Sequence, residues 1–393
     1  MILKAKHVLT GDGSTVIENG AVVIENDKIA AVGVYDEIAP LYKDHETADY
    51  SENTIMPGMI DTHVHVGYYW TTDRHANPHY ITLLAAKTLS DAFKKGVTTI
   101  RDVSSPKGLV NSFKRADAEG LCKIPRIFSA QQGICMTGGH CWSLTTGTVE
   151  ADGEVEIRKA IRDQIKNGAE FIKAFSSHRS DLPEYTDAEL AVIVDECHRL
   201  GKRVAVHSGT QPSLESVVNL GFDTIEHGTY LTDEQVKRMV QNGQHLVPTI
   251  VAYTYIYEEM EKDRIEKGLV YTGNDKITYD YFKKAAEQYK SAFPRWYKLG
   301  VSMSTGTDMV RKGSPSVPIA KEAKYFSEYG MPNIEVVRAL THNGALALGL
   351  EDSIGLLKKG LQADVIVVKG NPVENIDAVG NVIATYFGGE KVF

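Results

Sequence analysis

The stretch Met56-Pro-Gly-Met-Ile-Asp-Thr-His-Val-His-Val66 joins an apolar run to two histidines spaced two apart. It predicts a strand over 55–66, and on a strand His63 and His65 leave the same face. Two imidazoles on one inward face at a strand end can reach a single metal ion. The bland alternative is a pair of core histidines satisfied by hydrogen bonds, which an isolated H-x-H favours. Apolar runs that predict further strands recur at 97–103, 126–134, 171–176, 203–208, 224–230, 245–252 and 301–308. Helical patterns lie between several of them, such as 188–200, closed by Gly201. Eight such strand-then-helix units are the count for a (β/α)8 TIM barrel with insertions. A doubly wound open sheet is the competing α/β architecture.

The two chain ends read as β structure. Ala21-Val-Val-Ile-Glu and Lys28-Ile-Ala-Ala-Val flank Asn26-Asp27, a good two-residue turn. Asp364-Val-Ile-Val-Val and Val382-Ile-Ala-Thr-Tyr-Phe predict two more strands, the second turning at Gly388-Gly389. Neither end buries enough surface to stand alone. The expected organisation is therefore a small β-sandwich domain built from 1–54 and 350–393, beside a barrel domain over 55–349. One interval, 253–300, is too long for a simple crossover and rich in tyrosine. It reads as an extra pair of solvated helices, or alternatively as a lid or a subunit contact in a homo-oligomer.

The composition is 42 % hydrophobic and 24 % charged, which excludes collagen-like and disordered classes. A net charge of −8 gives no electrostatic reason to expect a nucleic-acid or anionic-membrane partner. No apolar run approaches the roughly 20 residues of a membrane span, and the first residues lack the apolar run of a signal peptide. Cys122, Cys135, Cys141 and Cys197 form no C-x-x-C pair, which fits free thiols in a reducing compartment. A cytoplasmic location is expected.

Further candidate ligands fall at later strand ends: His207 in Arg203-Val-Ala-Val-His-Ser, His227 in Thr224-Ile-Glu-His, and Asp308 in Ser302-Met-Ser-Thr-Gly-Thr-Asp. The catalytic groups of a barrel gather at the C-terminal ends of its strands. Lys173 sits mid-strand, with Phe171 and Phe175 on its side. A buried ammonium is costly unless paired or neutralised. Lys173 either snorkels to the barrel mouth or bridges a carboxylate, or it becomes a carbamate by taking up CO2. A carbamate, an aspartate and a hydroxide offset most of the charge of two divalent ions.

These motifs resemble the metal-dependent amidohydrolase superfamily along nearly the whole chain. The resemblance is carried by Pro57-Gly-Met-Ile-Asp-Thr-His-Val-His65, Asn26-Asp27 and the tail Gly355-Leu-Leu-Lys-Lys-Gly-Leu-Gln-Ala-Asp-Val-Ile-Val. Lys173, Thr137-Gly-Gly-His140 and Glu226-His-Gly-Thr-Tyr230 look like its prolidase-like branch of Xaa-Pro dipeptidases and carboxypeptidases, a branch related to imidazolonepropionase. The resemblance implies two divalent metal ions, with zinc the expected metal. His63, His65 and Asp308 would hold the first, His207 and His227 the second, and carboxylated Lys173 would bridge both. A metal-bridging hydroxide would attack the C–N amide bond of a dipeptide or N-acyl amino acid, with Asp308 as general base and then acid. Tyr230 and His140 are candidates for the oxyanion donor or for holding a substrate carboxylate. Arg179 could clamp a carboxylate, and Tyr69, beside Tyr68 and Trp70, could wall the substrate pocket. A mononuclear deaminase or an imidazolonepropionase-like cyclic amide hydrolase is the alternative enzyme, although Ser208-Gly-Thr-Gln after His207 lacks a deaminase acid. A catalytically silent amidohydrolase-like scaffold is the alternative of another class.

Overall fold

The computed structural model describes residues 1–67, 77–142, 147–177, 182–308 and 318–393. Both chain ends enter one sheet. From the N-terminus come β1 (Ile2–Leu9), β2 (Val16–Glu25), β3 (Lys28–Val34) and β4 (Thr47–Pro57). From the C-terminus come β15 (Val365–Lys369), β16 (Val382–Phe387) and β17 (Glu390–Lys391). Their order, β17-β16-β15-β4-β1-β2-β3, makes a single continuous seven-stranded sheet where two packed sheets of a sandwich were expected. Continuity arises because β4 pairs with β1 in parallel on one edge and with β15 antiparallel on the other. Both predicted turns are present. Asn26 takes φ 57° between β2 and β3, and Gly388 and Gly389 take positive φ between β16 and β17.

Strand alternation lets this sheet join two cores. Val365 and Val367 pack with Leu3, Val22, Ile24 and Ile55 in the sheet's own cluster. Their neighbours Ile366 and Val368 face the other way, into the main core with Met56, Met59 and Val97.

The middle of the chain alternates strand and helix. In order come β5 (Met59–Val64), β6 (Val97–Asp102), β7 (Arg126–Ser129), β8 (Gly133–Cys135), β9 (Thr148–Glu150), β10 (Ile172–Phe175), β11 (Val204–Ser208), β12 (Thr224–His227), β13 (His245–Val247) and β14 (Ser302–Met303). They form two parallel groups, β5-β6-β7 and β14-β13-β12-β11-β10-β8-β9. Backbone bonds join the groups at two places. The Thr62 N–H donates to the Thr305 carbonyl at 3.0 Å, and the Glu170 N–H donates to the Ser129 carbonyl at 2.9 Å. The expected helix over 188–200 is present as Asp187–Arg199, started by a Thr186/Glu189 capping box and followed by Gly201 at φ 66°.

Several expected strands are shorter or divided. The run 55–66 is two strands, broken at Gly58, where any Cβ would lie 2.2 Å from the Thr98 hydroxyl. The run 126–134 divides at Gln131, whose φ of 61° interrupts the extended backbone. The run 245–252 is strand only to Val247, because the helix Ile250–Glu266 begins there. This helix and Gly273–Leu299 fill the long interval as a helix pair. Its inner side is not solvated, for Tyr253, Phe282, Tyr289, Phe293 and Trp296 all join the main core. No described helix is long and apolar enough to cross a membrane.

Candidate functional site

On β5 the period of two puts Asp61 and His63 on one face, with His65 just beyond the strand. Their partners dictate the tautomers. The His63 Nδ1–H donates to the buried Glu226 carboxylate, and the His65 Nδ1–H donates to the Ser104 carbonyl at 2.9 Å. Carboxylates and carbonyls only accept, so both Nε2 atoms keep bare lone pairs. Both face Asp308, whose Oδ1 lies 3.7 Å from His63 Nε2 and 3.4 Å from His65 Nε2. Two ligands each about 2.1 Å from one tetrahedral metal stand about 3.4 Å apart. Among the described residues, His63, His65 and Asp308 form a group able to hold a metal ion.

His207 ends the inward face of β11, and its register partner on β12 is Glu226. A regular strand sends neighbours to opposite faces, so Glu226 and His227 could not both turn inward. His227 escapes the alternation through a left-handed backbone, φ 68°. Asp308 is likewise left-handed at φ 48°, pinned by its N–H donating to the His63 carbonyl at 2.7 Å. Such backbones cost about 1–3 kcal/mol each and cluster at functional sites. The imidazoles form a chain of contacts. Ring centroids are 5.0 Å apart for His63–His227, 4.4 Å for His227–His207 and 4.2 Å for the stacked His207–His140 pair. Burial, reinforced by the positive charge of Lys173 among other neighbours, pushes His63, His207 and His227 well below the ordinary imidazole range. Burial also lowers His65, to about 4. All four are therefore neutral, as metal ligands must be.

Lys173 lies beside them on β10, 1 % exposed, its Nζ without a hydrogen-bond partner among the described residues. The ammonium sits 5.1 Å from the Phe175 ring centroid. Burial lowers its pKa from 10.5 to about 8, although Glu226 and Asp308 pull it up. An amine without a hydrogen-bond partner among the described residues, partly deprotonated and set among neutral imidazoles and carboxylates, is a donor set that fits metal ions. Burial also lifts Asp308 to about 7, against the pull of Lys173.

The other predicted residues fare unequally. His140, between β8 and β9, reaches the site by stacking on His207, and its N–H donates to Glu184 at 2.8 Å. Tyr230 lies three residues past His227, its N–H donating to the Gly209 carbonyl and its ring 5.4 Å from the Lys284 ammonium. Tyr69 and Arg179 fall outside the described residues, as do Tyr68 and Trp70.

Sequence reasoning missed the groups that support these side chains. Asp61 accepts from the Thr307 N–H at 3.0 Å and its hydroxyl at 2.7 Å, which fixes the segment ending at Asp308. Thr249 meets His227 Nδ1 at 2.7 Å, and Tyr289 donates to the His227 carbonyl at 3.1 Å. Tyr253 packs edge-on to His227, with centroids 5.6 Å apart. Arg101 binds Glu226 at 2.6 Å. The legible signal was a charged residue on a short strand predicted to be buried, true of Asp61, Arg101 and Glu226 alike.

The amidohydrolase family model matches residues 54–392. The ochratoxinase of Aspergillus niger is 28 % identical, over 95 % of this chain and 82 % of its own length. An Xaa-Pro dipeptidase, solved with methionine bound in its active site, superposes with a TM-score of 0.86 at 27 % identity, covering 99 % of this chain and 98 % of that one. The solved A. niger ochratoxinase superposes at 0.85 with 26 % identity, covering 99 % and 94 %.

Proposed function

The chain belongs to the amidohydrolase family, and from that premise we propose a metal-dependent hydrolase that cleaves the C–N amide bond of a dipeptide or N-acyl amino acid. The two parallel strand groups are read as arcs of one (β/α)8 barrel over 55–349, with 1–54 and 350–393 as its satellite domain. The similarity to an Xaa-Pro dipeptidase and to an ochratoxinase supports the reaction class. The observation that carries the proposal is the convergence of four neutral imidazoles and Asp308 around a buried lysine amine with no hydrogen-bond partner among the described residues.

His63, His65 and Asp308 would hold one divalent ion, His207 and His227 a second, and Lys173 as a carbamate would join the two, with zinc the expected metal. Such ions supply a water acidic enough to ionise near neutral pH and polarise the scissile carbonyl. The lowered Lys173 pKa leaves on the order of a tenth of the amine free at neutral pH, which is the form that captures CO2. Asp308, lifted toward neutrality before any ion binds, would take a proton and return it to the departing amine through Oδ2, the oxygen not turned toward the two imidazoles. His140 stacks on His207, and it and Tyr230 would donate to the developing oxyanion or orient a substrate carboxylate.

The test is amine release from a library of dipeptides and N-acyl amino acids, with metal content measured on the same preparation. Cleavage of amides by protein holding two ions per chain is expected. Deamination of a purine or pyrimidine by protein holding one ion, unaffected in Lys173→Ala, would replace this reading with the mononuclear one.

A further inference from the structure

Beneath the site lies a closed polar network that no catalytic step uses. The Arg101 Nη2 donates to Glu226 Oε1 at 2.6 Å, its Nη1 to the Thr224 hydroxyl at 2.9 Å, and its Nε to the Thr62 carbonyl. Thr224 donates in turn to Glu226 Oε1 at 2.7 Å. The other oxygen, Oε2, accepts from His63 Nδ1. Arg101 is 2 % exposed, and Glu226, His63, Thr62 and Thr224 are equally buried. The guanidinium also lies 5.4 Å from the Phe171 ring centroid.

A buried ion pair is costly to desolvate, and well-packed apolar residues often serve the fold as well. This pair has a further connection, because the carboxylate oxygen turned away from Arg101 ends on His63. The supports of three of the four imidazoles differ in strength. His63 leans on a carboxylate, His65 on a carbonyl and His227 on a hydroxyl. A carboxylate behind an imidazole fixes the ring and its tautomer and makes the opposite nitrogen a better donor. Arg101 keeps that carboxylate ionised in a place where an unpaired charge could not stay.

We propose that Glu226, held by Arg101, is a positioning residue that locks His63 with its proton on Nδ1 and makes the His63–His65–Asp308 group the tighter half of the metal centre. The proposal rests on the metal-dependent reading above.

Two double variants test it without stranding a buried charge. Arg101→Met with Glu226→Leu removes both charges and the acceptor. Arg101→Met with Glu226→Gln removes the charges but restores a neutral acceptor for His63. Cobalt(II) titrations against a competing chelator, followed by the visible spectrum, read the metal sites directly. The Leu variant is expected to bind the tighter ion about 10–100-fold more weakly with an altered spectrum, and the Gln variant to fall between it and wild type. Folded variants that both match wild type in affinity and spectrum would make the pair a purely structural one.

Nitrogen-15 histidine spectra of the metal-free wild type decide the matter even if neither variant folds. His63, assigned by its loss in His63→Asn, should carry its proton on Nδ1; a proton on Nε2 overturns the proposal. Wild-type protein that binds no cobalt would remove the metal reading, whereas wild type that binds it alongside unaffected variants removes only the positioning role.

Discussion

Replacing Lys173 by methionine should make the metal-free protein more stable while abolishing turnover by the metal-loaded protein. The side chain is 1 % exposed, so its protonated form meets almost no water. Burial lowers its pKa from 10.5 to about 8, so the folded state holds the proton less tightly than the unfolded chain. A folded pKa below the unfolded one penalises folding in full below about pH 8, and the penalty fades as pH climbs toward 10.5. At one pKa unit per 1.36 kcal/mol, the penalty is about 3 kcal/mol at pH 7, and about 2 kcal/mol of it is relieved by pH 9.5. Methionine has a similar unbranched shape and no proton to lose. Urea unfolding of metal-free wild type and Lys173→Met, in CO2-depleted buffer at pH 7 and 9.5, measures the difference. The variant should be the more stable at pH 7, and the gap should narrow by about 2 kcal/mol at pH 9.5. Equal pH slopes for the two proteins would refute the claim that Lys173 is a destabilised ammonium waiting for a partner. Amide hydrolysis should vanish in the variant, as expected of a bridging ligand.

Asp308→Ala should fold, yet lose at least 100-fold in amine release, since general acid–base groups contribute about 10²–10⁴-fold; substantial turnover would take the proton-transfer role from Asp308. Thr249→Val leaves His227 Nδ1 without its partner at a site where Thr249 is fully buried. A loss of about 1–3 kcal/mol in stability is expected, with weaker retention of one ion on dialysis. Tyr230→Phe should keep its metal content and lower kcat or raise KM, and wild-type kinetics would leave the tyrosine a rim-packing residue. Away from the site, Arg162 holds the Glu196 carboxyl down to about 2, against burial, with Arg199 and Arg158 adding to it. The lowered folded pKa contributes stability that is complete above the unfolded value and disappears as pH falls toward 2. Glu196→Gln should therefore melt lower at neutral pH and show a flatter fall in Tm between about pH 4.5 and 2.

The sequence by itself determined the α/β alternation, both hairpin turns and the identity of the candidate ligands. Each is a local matter. The period of two aligns His63 with His65, Asn26-Asp27 suits a tight turn, and histidines at the ends of apolar runs stand out against their surroundings. Alternation could not foresee how His227 and Asp308 would point, because both depend on left-handed backbones that only the surrounding contacts hold in place. Nor could spacing reveal that Arg101, Glu226 and His63 meet, since they belong to three strands and are joined by tertiary bonds alone. Likewise, the run divides at Gly58 where β4, paired with β1 and β15, gives way to β5, paired with β6, and Thr98 on β6 leaves room there only for glycine; these neighbours exist only after the strands pair. Ligand chemistry resides in the side chains and can be read one residue at a time. Tautomer, aim and protonation come from the company those side chains keep, which the folded chain alone assembles.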